Sequence, residues 1–202
     1  MQRPAIRLFS LIVVLAALAS PAMALNVVNT SAPAYNYIFS TTGSITPTDM
    51  SSPVLTDGFL QSRVFQGQAG SPAAGKWCYE YRLDLRNVVG ITYIPYATSV
   101  TVPFNSSIWQ YDYNFDSVFT DQVLVVSSGG SGTIGLSSAT IPIFTSNVKF
   151  TFSSPVSGGS YPGNGQSSYF FGLVSPYGPR AQYGTVQTDS GPVTVTVYAP
   201  FH

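Results

Sequence analysis

The sequence predicts an all-β fold, an antiparallel β-sandwich of about 8–10 strands in one domain, behind a cleaved N-terminal signal helix. Three observations carry this. Apolar residues recur with period 2, and no convincing 3.6-residue period appears beyond the N-terminus. Gly and Pro, 18 and 15 of 202 residues, gather into clusters that punctuate the apolar runs. Only 8% of residues are charged while 45% are hydrophobic, against roughly 25% charged in an ordinary soluble domain.

Residues 1–24 read as a secretory signal peptide. Arg3 and Arg7 form a basic n-region, Leu8 to Ala19 an apolar run broken only by Ser10, and the small residues Ala22 and Ala24 precede the expected cut. The run is 12 residues long, and a membrane span needs roughly 20. No later run is long enough to span. The expected destination is the cell exterior or cell surface. Cleavage after Ala24 leaves 202 − 24 = 178 residues, with 6 basic and 8 acidic groups, so a net charge of 6 − 8 = −2. That length suits a single domain with a real core.

Residues 25–57 are rich in Ser, Thr, Asn and Pro, with one alternating patch at Tyr35, Tyr37 and Phe39. They form either an N-terminal arm, which can add a strand to a neighbouring subunit, or the first strand of their own sandwich. The sandwich domain proper is expected over 58–202. Phe59 to Gln66 is a candidate strand. In 79–86, Tyr79, Tyr81, Leu83 and Leu85 face one way and Glu80, Arg82, Asp84 and Arg86 the other. The charged set reads as a mutually satisfying surface ladder, adding about 0.2–1 kcal/mol per cross-strand pair. Val100, Val102 and Phe104 form a further set. Val123 to Val126 is apolar on both faces, so it predicts a strand covered on both sides. Val148, Phe150 and Phe152, then Ser168 to Val174, then Val193, Val195 and Val197 complete the series. Turn signals lie between them at 67–75, 129–132, 157–159 and 162–165. No fixed-period repeat is present, which disfavours a propeller or solenoid.

Several function classes are excluded by composition. Nothing neutralises a row of phosphates, so nucleic acid is not a partner. The aromatic content of 14% argues against a disordered tail. The residue mix of a coiled coil is missing. Catalytic side chains are scarce. The single His, His202, is the last residue, Cys78 is the single Cys, and Glu80 is the single Glu. A nucleophilic triad or a zinc site lacks its components. Cys78 has no internal disulfide partner and is expected to be buried and inert.

Two candidate sites remain. Asp112, Asn114 and Asp116 open a D-x-N-x-D segment, and Asp121 follows; oxygens at alternate positions suit calcium. This opening resembles the calcium loops of EF-hand-like, dockerin and integrin-type repeat proteins over about ten residues. It departs from them at Ser117, where those loops place Gly, and at Asp121, which falls at the tenth position. The alternative is a polar turn. Trp109, Tyr111 and Tyr113 form the second candidate, an aromatic platform for stacking on surface glycans.

The stretch from Asp57-Gly58-Phe59-Leu60-Gln61-Ser62-Arg63 through 79–86 to Pro162-Gly163-Asn164-Gly165 and on to Leu173 resembles uncharacterised secreted bacterial proteins predicted to be β-sandwiches. The resemblance spans most of 57–175 and implies location and fold, with no activity and no site residues. In composition the chain is also similar to subunits of extracellular fibres and surface layers. Three functions are therefore carried forward. The first is a non-catalytic structural or adhesive protein that pairs with itself, needing no cofactor beyond possible calcium. The second is a carbohydrate-binding module. The third is a secreted hydrolase using Asp residues.

Overall fold

The computed structural model describes residues 22–31, 39–45, 56–71, 73–142 and 145–202. The expected signal segment up to residue 21, and Tyr35 and Tyr37, lie outside the described residues.

Twelve strands are present among the described residues, and no helix. They are β1 (Ala22–Leu25), β2 (Val27–Ser31), β3 (Phe39–Ile45), β4 (Gly58–Gln66), β5 (Trp77–Asp84), β6 (Tyr96–Pro103), β7 (Val123–Ser128), β8 (Leu136–Pro142), β9 (Asn147–Ser157), β10 (Phe170–Ser175), β11 (Pro179–Thr188) and β12 (Gly191–Pro200). They form two six-stranded sheets. Sheet I has the order β1-β8-β9-β6-β11-β12, and sheet II the order β2-β7-β10-β5-β4-β3. The fold is an all-β sandwich. The pairings are antiparallel except β2 with β7, which is parallel.

Alternation along the strands builds the core. Tyr79, Tyr81, Leu83 and Leu85 are fully buried, as are Val100, Val102, Phe150 and Val197. They meet between the sheets because successive side chains of a strand point to opposite faces, so one apolar parity makes one apolar face. At the centre Phe171 packs on Phe150 with ring centroids 4.8 Å apart, and Tyr81 lies 6.2 Å from Phe171. Buried phenols need partners. The hydroxyl of Tyr79 donates to the Tyr177 carbonyl at 2.7 Å, and that of Tyr81 to the Tyr198 carbonyl at 2.8 Å.

The chain exceeds the expected strand count where composition gave no alternation. β1, β2 and β8 are short and rich in small or polar residues, and β11 begins with a polar stretch. Within 25–57, β2 and β3 pair inside their own sheet, on β7 and β4. A single residue, Asn26, separates β1 in sheet I from β2 in sheet II, so one nearly continuous strand switches sheets there. β1 straddles the expected cut after Ala24.

One expectation is corrected. The charged residues of β5 do find opposite charges, as expected, but on a covered face and not at the surface. Glu80 and Asp84 are buried, at 0% and 4% exposure. Glu80 pairs across to Arg63 on β4, its register partner, and Asp84 pairs with Arg82 and Arg86. The reason is that β5 is interior to its sheet, and both of its faces are covered.

Candidate functional site

The outer face of sheet II carries a second, smaller core. Phe65, Cys78, Leu124, Val126, Phe170 and Val174 lie on it, and Tyr111 and Tyr113 pack down onto them. Their strand positions have the opposite parity to the main core, so the face is apolar and must be covered. The cover is the long connection between β6 and β7. The expectation that Val123 to Val126 is buried on both faces therefore holds, with Val123 and Val125 inward and Leu124 and Val126 outward.

The tip of that connection is a closed loop. Tyr111 and Asp121 exchange backbone hydrogen bonds of 2.8 and 2.9 Å at its base. Asp112 accepts the Asp116 amide at 2.9 Å and the Ser117 amide at 3.0 Å. Asn114 Oδ1 also accepts from the Asp116 amide, and its Nδ2 donates to Asp116 Oδ2 at 2.8 Å. Asp116 Oδ1 accepts the Val118 amide at 2.8 Å. Phe115 and Ser117 sit at positive φ, 60° and 69°. Ser117 thus adopts the backbone conformation for which calcium loops use Gly. These side chains hold a turn by local bonds to their own backbone.

The four expected calcium ligands are not assembled. Asp121 is buried away from the tip, where its Oδ2 accepts the Tyr113 amide at 2.8 Å and its Oδ1 faces Asn26 Nδ2 at 3.5 Å. Among the described residues, no three His, Cys, Asp or Glu side chains come together as a cation cage. The oxygens that calcium would need are engaged with amides.

The expected aromatic platform is also divided. Trp109 is 51% exposed, but Tyr111 and Tyr113 are buried at 7% and 5%. Their rings lie 5.3 Å apart and serve as the underside of the cover. Period-2 spacing across Asp112 placed both tyrosines on one face, and that face turned toward the sheet.

Beside this cover is a cavity of about 440 Å³. Its wall includes Phe65, Cys78 and Glu80 from the sheet, Leu124 and Val174 next to them, and Tyr113 from the cover; Asn114 and Phe115 stand at its mouth with Ser31 and Ser128. Neither Glu80 nor Cys78 was expected in a site. The available signal was their shared parity with Phe65, Phe170 and Val174 on a face that the sequence treats as polar.

Electrostatics at the wall follow from burial. Glu80 Oε2 takes the Arg63 guanidinium, at 2.6 Å from Nε and 2.5 Å from Nη2. Both Arg63 and Arg82 lie over the Phe170 ring, at 3.5 and 5.0 Å from its centroid. Burial raises the pKa of Glu80 despite Arg63, which opposes the shift. The Cys78 thiol is driven well above its ordinary value, by burial first and then by the Glu80 carboxylate. Such a thiol is protonated and a poor nucleophile. The Tyr111 phenol is pushed up to about 12, chiefly by burial, and Tyr113 well above its usual value for the same reason. At the wall Glu80 Oε1 has no hydrogen-bond partner, and the Tyr113 hydroxyl has only a loose contact with the Val174 backbone.

The described residues contain no helix long and apolar enough to cross a membrane. No family model, curated protein or solved structure matches the chain.

Proposed function

We propose that the protein is a secreted, non-catalytic structural or adhesive protein that associates with itself end to end. The observation that carries this reading is two separate groups of exposed large apolar residues, one in the segment that leads into β6 and one in the connection that follows it. Ile91, Tyr93, Ile94 and Tyr96 precede or open β6 and are exposed, Ile91 by 61%. Tyr161 joins them, because its loop is bonded to 86–90 through Gly159 and Gly163. Trp109, Phe115, Val118 and Phe119 follow β6 and are exposed too, Phe119 by 70%.

Contiguous exposed apolar patches mark interaction surfaces. Two different patches that fit each other make a head-to-tail contact, and such a contact propagates into a filament when its rotation does not close. Few charges stand in the way. The occupant of each patch is the other patch of a second copy.

Light scattering and negative-stain microscopy of residues 25–202 test this directly, with calcium and without. Wild type should form concentration-dependent chains. Phe115→Ser with Phe119→Ser blocks one patch, and Ile91→Ser with Ile94→Ser blocks the other. Each variant alone should be monomeric, and an equimolar mixture should stop at a heterodimer. A wild type that stays monomeric at every concentration, or variants that assemble as it does, would sink the reading.

A further inference from the structure

The cavity on the outer face of sheet II shares Phe115 with one of the apolar patches and is otherwise built from different residues. Its floor is apolar, from Phe65, Leu124 and Val174. Its mouth is rich in hydroxyls, including Ser31 and Ser128. Glu80 is 0% exposed, yet its Oε1 lacks a hydrogen-bond partner in the protein, and the Tyr113 hydroxyl, on a side chain 5% exposed, has only the Val174 backbone near it. Buried polar groups are almost always satisfied, and each exception calls for an occupant or a function. An unmade bond at such a site costs free energy that a bound donor recovers.

The charges at the wall select what that donor is. Glu80 is already paired with Arg63, and Arg82 stands nearby on the same ring. A cation would meet two guanidinium groups. An anion would meet a carboxylate. A neutral molecule with hydroxyl groups meets neither penalty. Its hydroxyls can donate to the carboxylate oxygen and exchange a bond with the phenol, while its C–H face rests on the apolar floor. The volume, about 440 Å³, lies at the small end of ligand cavities.

We propose that this cavity binds a small neutral polyhydroxy molecule, of the size of one sugar ring, through Glu80 Oε1 and the Tyr113 hydroxyl. The source is either a free polyol or sugar, or the terminal residue of a longer glycan.

Calorimetric titration of the protein with D-glucose, D-galactose, N-acetyl-D-glucosamine and myo-inositol provides the test. The same sugars as termini of immobilised oligosaccharides form a second arm that separates the two sources. At least one probe should bind saturably in one arm. Tyr113→Phe removes a hydroxyl whose one protein contact is the Val174 backbone, so it should fold with a nearly unchanged melting temperature and bind roughly fivefold more weakly or worse. Ser128→Phe, at the exposed mouth, should block binding without touching either core. No saturable binding of any probe in either arm would overturn the proposal and leave water as the occupant. Equal binding by wild type and both variants would overturn it as well, by placing the ligand elsewhere.

Discussion

Arg63 on β4 and Glu80 on β5 stand directly opposite each other, and the guanidinium meets the carboxylate on the covered face of sheet II. The two partners should respond differently to removal. Arg63→Ala leaves a buried carboxylate without its countercharge and should cost about 3–5 kcal/mol at neutral pH. Glu80→Gln keeps the volume and removes the charge. Because burial raises the Glu80 pKa in the folded chain, its ionisation there is unfavourable relative to the unfolded chain. The Glu80 contribution is therefore fully present below the unfolded value near 4.5 and is lost as pH rises through the folded one. Glu80→Gln should match or exceed wild type in melting temperature at neutral pH, and lose that advantage as the solution is acidified. A large neutral-pH loss in Glu80→Gln would show that the ion pair outweighs desolvation.

Asp84 should show the opposite slope. Burial pushes its pKa up, but hydrogen bonds and charge from Arg86, with help from Arg82, outweigh burial and hold it below the ordinary value of 3.8. Its contribution is present above that value and disappears as pH falls through the lower folded value. Asp84→Asn should therefore be destabilising at neutral pH and nearly silent under strong acid. Chemical denaturation across the acid range reads this out, and a pH-independent difference would contradict it.

Gly172 should not tolerate a side chain. A Cβ there would lie 1.8 Å from the Tyr79 carbonyl oxygen, which belongs to the neighbouring strand backbone and cannot swing aside. Gly172→Ala should cost about 1–3 kcal/mol or more, or prevent folding. Recovery of wild-type stability would mean that β5 and β10 separate more readily than their ladder suggests.

The loop at 112–117 should hold its shape without a cation. Asp112 already accepts two amides, so Asp112→Ala should cost about 1 kcal/mol through loss of the turn. Calcium or a chelator should leave the melting temperature of wild type unchanged. A calcium-dependent rise, abolished in Asp112→Ala, would show that the oxygens can abandon their amides for a cation.

The inward faces were legible because they obey one rule. Tyr79, Tyr81, Leu83 and Leu85, or Val193, Val195 and Val197, announce a buried face by period alone, and all are buried. The outer face of sheet II was not legible in the same way. Cys78, Glu80 and Arg82 share its parity, and a strand with that pattern normally turns those residues to water. Only the doubly apolar run at Val123 to Val126 hinted that this face is covered. That Tyr111 and Tyr113 cover it depends on a 19-residue connection folding back, which no local period encodes. Nor does composition betray β1 and β2, whose pairing is decided by distant strands and by the bonds that Asn26 makes to Thr120 and Gln122.

The strand that switches sheets at Asn26 also bears on how fast the molecule can form. Asn26 joins Gln122 across 96 residues, and Ser62 joins Tyr198 across 136. β12, a ten-residue strand, is fastened to sheet II by Ser62 and Tyr81, so the flank at β4 and β5 does not close until that strand is present. Chains with such high contact order fold in milliseconds to seconds, since loop entropy is lost before the pairings are gained. Refolding should be slow and sensitive to C-terminal truncation. A nascent chain would not complete its sandwich until β12 has been made, and the unpaired edges of both sheets would stay open to other chains until then.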